Sequence, residues 1–255
     1  MAQDNQMTAH RVNSGMELRL LGGFRLSCRG TPLDPPMASQ RILALLAMNP
    51  GWLSRSYVAG TLWLDVSDSH AMGSLRSALW RLRTHQADLV DTRAGRIALA
   101  NDVTVDVGHL LETCRLLDSG EGSNNIDDDL FAHDLLPDWY DDWVLLERER
   151  LRQVRLRGLE TRAHRLIEVG DYSGAVRTAL AAVQCEPLRE SSHRVLIQAH
   201  IEEGNFSEAI RQFQLFARLL ENELGINPSR IMYELVAPLM SNSIGSRARL
   251  LVGSG

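Results

Sequence analysis

From Met16 onward, Leu18, Leu20, Gly22, Phe24, Leu26 and Cys28 alternate with Glu17, Arg19, Arg25 and Ser27. A period of two marks a half-buried strand, so the pattern predicts one strand here. Gly22-Gly23 falls inside it, as a bulge or a close approach of another segment. Arg29-Gly30-Thr31-Pro32 turns the chain. The period then lengthens. Ser39–Asn49 reads as a short helix stopped by Pro50-Gly51, and Ser54–Trp63 as a second helix. Asp68 or Ser69 caps a third, running to about His85. Its Met72, Leu75, Leu79 and Leu82 form one apolar stripe. Opposite them lie Gly73, Ser77, Trp80, Arg81 and Thr84, with Arg76 and Arg83 at the flank. Leu89-Val90, the turn Arg93-Ala94-Gly95, and Ile97 and Leu99 alternating with Arg96 and Ala98 predict a hairpin. Val103, Val105 and Val107 predict one more strand.

Strand signals vanish after that. Gly108–Asp118 reads as a helix opening after Asp106. Ser119–Pro137 is polar and acidic, a solvated loop with a short helical piece. A long helix is expected over Asp138–Val169. An internal repeat follows: Gly170-Asp171-Tyr172 matches Gly204-Asn205-Phe206, and Ala175 and Val176 match Ala209 and Ile210 at the same offset. The offset of 34 residues is the period of tetratricopeptide helix pairs. There Gly makes the turn, the aromatic plugs the helix crossing and Ala allows close approach. With the long helix and a last one over Arg230–Met240, such pairs stack into one superhelical core. The expected fold is therefore mainly α with a small β component. Its parts are a tail over 1–15, a winged helix over 16–107, an all-α tetratricopeptide-like domain over 108–240 and a tail over 241–255.

Composition sharpens this picture. The 255 residues fit two ordinary domains at about 100–200 residues each. No apolar run reaches the ~20 residues of a membrane helix, so no membrane partner is expected. Met1–Gly15 lacks the apolar stretch of a secretory signal. The three cysteines, Cys28, Cys114 and Cys185, have neither disulfide-framework nor zinc spacing. A cytoplasmic, nucleoid-associated address follows as the expectation. The net charge of −5 hides an asymmetry: residues 16–107 carry +2, and the chain from Gly108 onward carries −7. Every basic residue is arginine. An acidic whole argues against coating nucleic acid indiscriminately and leaves room for a small basic face on the first half.

Enzyme motifs are missing. There is no G-x-S-x-G elbow, no Walker A loop and no dinucleotide fingerprint, so neither an enzyme nor a cofactor is expected. His193 and His200 read as packed or solvated side chains, and Asp127-Asp128-Asp129 lacks the spacing of a calcium loop. The arginines at 148, 150, 152, 155, 157, 162 and 165 interleave with Glu147, Glu149, Glu160 and Glu168, which suggests a salt-bridged, solvated helix face. Trp139, Tyr140 and Trp143 open that helix, where they join the two domains or plug the stack. The third helix allows two readings. Its arginines form a solvated face, or they enter a major groove while the leucines dock inward. In the second reading Arg81 reaches a guanine edge, Arg76 and Arg83 meet phosphates, and Arg93 and Arg96 lie where a wing touches the minor groove. A protein-binding or ligand-sensing helical scaffold without DNA readout stands as the alternative function.

Leu75-Arg76-Ser77-Ala78-Leu79-Trp80-Arg81-Leu82-Arg83 resembles the recognition-helix motif of the Streptomyces antibiotic regulatory protein family. Gln40–Leu46 and Leu62-Trp63 resemble its first two helices. Pro137–Trp143 resembles the entry to its bacterial transcriptional activation domain, and Glu223–Ser229 that domain's closing motif. The resemblance covers residues 16 to 240. It implies an OmpR-like winged helix followed by a tetratricopeptide-like activation domain, in a short member with no room for receiver, ATPase or sensor regions. It further implies a transcriptional activator, usually of a secondary-metabolite (antibiotic) gene cluster. Such proteins bind direct repeats in double-stranded promoter DNA and recruit RNA polymerase holoenzyme through its sigma factor and other subunits; a homodimer on DNA is compatible with this. Carried over by position, Arg81 reads bases within a face that includes Ser77, Trp80 and Thr84. Arg76 and Arg83 hold phosphates, and Arg93 serves at the wing beside Arg96. Leu64, Asp65, Val66, Ser67 and Asp68 form the loop facing polymerase. The family's wing usually carries Gly followed by an aromatic; here Arg96 and Ile97 follow Gly95.

Overall fold

A computed structural model describes residues 15–84, 89–121 and 126–240. The tails expected over 1–15 (but for Gly15) and 241–255, and His85 at the foreseen end of the third helix, lie outside the described residues. Two compact units result. One holds residues up to Glu112 together with His133–Leu151, the other Thr113–Ala132 with Arg152 onward.

The first unit begins with β1 (Met16–Arg19), β2 (Arg25–Cys28) and β3 (Thr31–Leu33). The expected single strand is thus a hairpin: β1 and β2 pair antiparallel, with Leu18 opposite Leu26. The period-two pattern runs unbroken through the turn, so it could not reveal the reversal. The glycines do the bending, since Gly22 and Gly23 take φ of 75° and 123°, which L side chains rarely adopt. A Cβ at Gly22 would also stand 3.2 Å from the His133 ring, so the expected close approach is present. The last strand, β7 (Val103–Val105), lies parallel to β1 and completes a sheet of order β3-β2-β1-β7.

Three helices follow the first strands: α1 (Met37–Met48), α2 (Arg55–Leu62) and α3 (Asp68–Thr84). The short β4 (Leu53–Ser54) joins the hairpin β5 (Val90–Arg93) and β6 (Arg96–Leu99) in a second sheet of order β4-β6-β5. Ile42, Leu45, Leu46, Val58, Leu62, Leu75 and Ile97 share one buried core.

Residues 133–151 are stitched into this unit. Leu21 bridges Leu135, the Gly22 amide donates to the Asp134 carbonyl at 2.8 Å, and the Leu136 amide to the Leu20 carbonyl at 2.9 Å. Trp139 stacks on Phe24 at 6.0 Å, Trp143 packs against the three-helix core, and Arg41 pairs with Asp141. Tyr140, expected to pack, is 78% exposed. The boundary expected after Val107 therefore falls inside the first unit, because these hydrogen bonds and rings are far apart in sequence.

α4 (Asp106–Ser119) and α5 (Asp142–Glu168) run from the first unit into the second. α5 starts four residues later than Asp138, after the segment that carries Trp139. In the second unit, a Cβ on Gly158 of α5 would stand 2.6 Å from Cys114 Sγ and 3.2 Å from the Phe131 ring. Only glycine admits that approach, and burial pushes the Cys114 thiol up to about 12. α6 (Tyr172–Cys185), α7 (Glu190–Glu202), α8 (Phe206–Leu224) and a helix over 230–240, α9, complete the chain.

The repeat is visible in the backbone. Gly170 and Gly204 both take φ of 80°. Each is followed by an amide that donates back into the preceding helix, Asp171 to Leu166 at 2.9 Å and Asn205 to His200 at 2.8 Å, the Schellman pattern of a left-handed cap. Ala175 and Ala209 are fully buried. Phe206 is 51% exposed and does not plug the crossing. Phe213, Phe216 and Leu220, two and more turns along α8, pack there with Met232 and Val236 of α9.

The arginines of α5 are only partly a solvated face: Arg150 and Arg157 are exposed, and others turn inward. Arg155 and Arg162 are buried at 5% and 7% exposure. Arg162 donates to Asp128 at 2.6 Å and to the Ile126 carbonyl at 3.1 Å, Arg165 to the Leu117 carbonyl, and Arg152 pairs with Glu186. Arg150–Glu147, at 2.7 Å, is a local ion pair of the kind the interleaved pattern suggests.

Candidate nucleic-acid interface

The first unit presents α3 through a particular division of its surface. Ala71, Leu75, Ala78 and Leu82 are its buried line, with Met72 and Leu79 half-buried beside it. This line is turned slightly from the leucine stripe expected from sequence. The reason is size: Ala71 and Ala78 let neighbouring helices approach, and longer side chains settle at the flanks. The Ser39 hydroxyl of α1, wholly buried, donates to the Ala78 carbonyl at 3.2 Å and ties the two helices together. A buried hydroxyl without such a partner would be costly.

Arg76, Ser77, Trp80, Arg81 and Arg83 all project outward. Trp80 is 67% exposed in mid-helix, an unusual place for an indole that has no partner to cover it. Thr84 ends the helix, and its side chain lies outside the described residues. Ser77 and Arg81 border an open groove of about 450 Å³ shared with Ala38 and Trp63. On the other side, Arg76, Trp80 and Arg83 border a cleft of about 200 Å³ shared with Val90 and Thr92 of β5. There the Arg83 guanidinium donates to the Thr92 hydroxyl at 2.7 Å. Arg55, the first residue of α2, lines the same cleft. Sequence reasoning missed it, because no periodicity connects position 55 with α3.

The wing hairpin turns through Ala94 and Gly95, both with positive φ (46° and 77°). Positive φ at both central residues is what a tight two-residue hairpin turn requires. The register sets Arg93 directly opposite Arg96, both exposed at the tip. Like charges facing each other across a strand pair repel, so the tip favours an anionic neighbour. The Arg55 amide donates to the Gly95 carbonyl at 3.1 Å and fastens the wing to the start of α2.

Leu64, Asp65, Val66, Ser67 and Asp68 are all exposed between α2 and α3. Two of them are sizeable hydrophobes, Leu64 and Val66. The Ser67 carbonyl accepts from the Ala71 amide at 2.9 Å, so α3 begins at the end of this loop. Among the described residues no group of three His, Cys, Asp or Glu could hold a metal ion, and no helix is long and apolar enough to cross a membrane.

The second unit closes on Glu223–Ser229. Gly225 caps α8 in the left-handed conformation, and the Ser229 amide donates to Glu190 at 2.8 Å. Two buried groups are tuned. Burial raises the Glu160 carboxyl, but hydrogen bonds from Arg189, Ser191 and Ser192 and the Arg189 charge outweigh it and hold it below its usual range. Burial pushes the His193 imidazole down, against a smaller opposing effect of the Pro187 carbonyl. The ring stacks on Phe216 at 4.1 Å.

The first unit is thus a three-helix winged helix with a four-stranded leading sheet, and the second is built of tetratricopeptide-like helices. Residues 122–239 match the family model described as bacterial transcriptional activator domain. The chain is 28% identical over 248 residues to the Regulatory protein AfsR of Streptomyces coelicolor, covering 89% of this chain and 24% of that one. It is 36% identical over 89 residues to the Regulatory protein AfsR of Streptomyces griseus, covering 35% and 9%. The chain thus spans about a quarter or less of the length of these relatives. Its fold is similar to that of Mycobacterium tuberculosis EmbR, solved in complex with a low-affinity phosphopeptide. The TM-score is 0.71 at 19% identity, over 89% of this chain and 65% of that one. The chain is thus similar to bacterial regulatory proteins over the matched activator segment and, in fold, to EmbR over most of its length.

Proposed function

We propose that the protein is a sequence-specific DNA-binding transcriptional activator, with the first unit as its DNA-binding part and the tetratricopeptide-like helices of the second as its activation part. The observation that carries this is the division of α3. Its alanine and leucine line is sealed in the core, while Arg76, Ser77, Trp80, Arg81 and Arg83 stand uncovered on the opposite side. That helix enters the major groove, with Arg81 on a guanine edge and Ser77, Trp80 and Thr84 beside it. Arg76 and Arg83 hold phosphates, and Arg93 with Arg96 brings the wing to the neighbouring backbone or minor groove. The exposed loop Leu64–Asp68 meets RNA polymerase holoenzyme, including its sigma factor. The regulated genes are a secondary-metabolite cluster, the sites are direct repeats near its promoter, and the protein acts in the cytoplasm, as a homodimer on its DNA.

The test is a binding titration on duplexes that the wild-type protein selects from a random pool, beside a scrambled duplex. Arg81→Ala weakens the selected duplex by about 1–3 kcal/mol and relaxes discrimination. Arg83→Ala weakens both duplexes alike. Two folded variants that bind as wild type does would remove α3 from the interface.

A further inference from the structure

We infer that the cleft between α3 and β5 seats one backbone phosphate of the bound duplex, and that Arg55 is a cation of that seat which no helix motif announces. The inference rests on α3 being the duplex-reading helix.

Three guanidinium groups, those of Arg55, Arg76 and Arg83, line this one cleft, and no acidic side chain is among its described lining residues. Positive charges gathered in one concavity create a field that favours an anion. Arg55 sharpens the case. Its Nε is buried and has no hydrogen-bond partner among the described residues. A buried guanidinium nitrogen without an acceptor is costly. A phosphate oxygen meeting the same delocalised cation offsets that cost, and the planar fork suits the geometry of a phosphate. Placement agrees: the Arg55 amide holds the Gly95 carbonyl of the wing turn at 3.1 Å, and Arg83 is held at the β5 rim by Thr92. The seat therefore lies between the reading helix and the wing, where a strand passing from one to the other would cross it. Size favours a single phosphate over a small-molecule effector. The cleft holds about 200 Å³, below the roughly 300–1,000 Å³ of drug-sized sites.

The test uses the whole chain, fluorescence anisotropy and two duplexes, one selected by the wild type from a random pool and one scrambled. Arg55→Gln is expected to weaken both by the same factor, about tenfold. It should also flatten the log–log salt dependence by about one, while Arg55→Lys keeps the slope. Scanning the selected duplex with single neutral methylphosphonates should find one position that weakens wild type more than it weakens Arg55→Gln. Thermal melts check that each variant folds. The seat is overturned if Arg55→Gln binds both duplexes with the wild-type slope while Arg81→Ala still loses discrimination. A loss confined to the selected duplex also overturns it, since that would make Arg55 a base contact. Inorganic phosphate, titrated alone at fixed ionic strength, separates the remaining source: if Arg55→Gln abolishes its binding but leaves DNA binding intact, the cleft serves a free anion and the duplex assignment fails. Should the wild type bind no duplex at all, the reading of α3 falls first and takes this one with it.

Discussion

Arginines on α5 and on α3 look alike in sequence, yet several on α5 turn inward onto the protein while Arg76, Arg81 and Arg83 of α3 face outward. On α5, Arg148 donates to the carbonyls of Leu135, Leu136 and Trp139, Arg162 to the Ile126 carbonyl, Arg165 to the Leu117 carbonyl in the last turn of α4, and Arg152 and Arg162 pair with carboxylates. On α3, Arg76, Arg81 and Arg83 all remain exposed. What separates the two sets is the local supply of oxygen. Irregular segments such as 133–139 and 126–131 leave carbonyls without ladder partners, and the five donors of a guanidinium fit them. The surroundings of α3 are helices and a paired hairpin, whose carbonyls are mostly taken.

Substitution can break or sharpen this contrast. The largest effect is expected at Arg148. Arg148→Met strips a donor from three carbonyls and should cost about 3 kcal/mol of unfolding free energy, read from urea midpoints, while surviving folded protein keeps its duplex affinity. Acid comes next and acts unequally on the two units. His193 is held neutral in the fold, its imidazole below the usual 6.5, so the unfolded chain binds the extra proton first. Stability of the second unit is full above about pH 6.5 and falls below it. Glu160, held below 4.5, adds a further loss as pH falls through its own lower range. In the first unit burial raises the Asp106 carboxyl, against hydrogen bonds from the amides of Leu20, Leu21 and Val107. Acid therefore relieves that group and does not weaken it. Hydrogen exchange at pH 7.5 and 5 should show α6–α8 loosening before β1 and β2. At the wing, Ala94→Gly removes a Cβ from left-handed backbone (φ 46°) and should raise stability by about 1 kcal/mol in the same urea assay. Smallest of all, Arg76→Gln should leave stability within about 0.5 kcal/mol of wild type, with its loss confined to duplex affinity.

Much of this was legible in the chain. Helix order, the wing turn and the glycine-marked repeat follow from local chemistry: caps, period and left-handed turns. The outward set on α3 follows from its period too. Three features did not follow. The hairpin of β1 and β2 keeps a single alternation through its turn, so the reversal is invisible to period alone. Alanines on α3 and α8 bury as well as leucines, because helix approach rewards small residues that a hydrophobicity pattern discounts. Arg55 and the α5 arginines are defined by what surrounds them in space, and charge spacing along one helix does not carry that information.

The attachment of residues 133–151 to the leading sheet bears on how such proteins are cut into modules. A gene fragment ending after Val107 discards the strand partner of Leu21, the ring that stacks on Phe24 and the carboxylate that pairs with Arg41. Transplanting the first unit into a chimaera, or expressing it by itself, calls for a piece that carries this later stretch along. Recombination joints placed by homology to the activator domain would sever it.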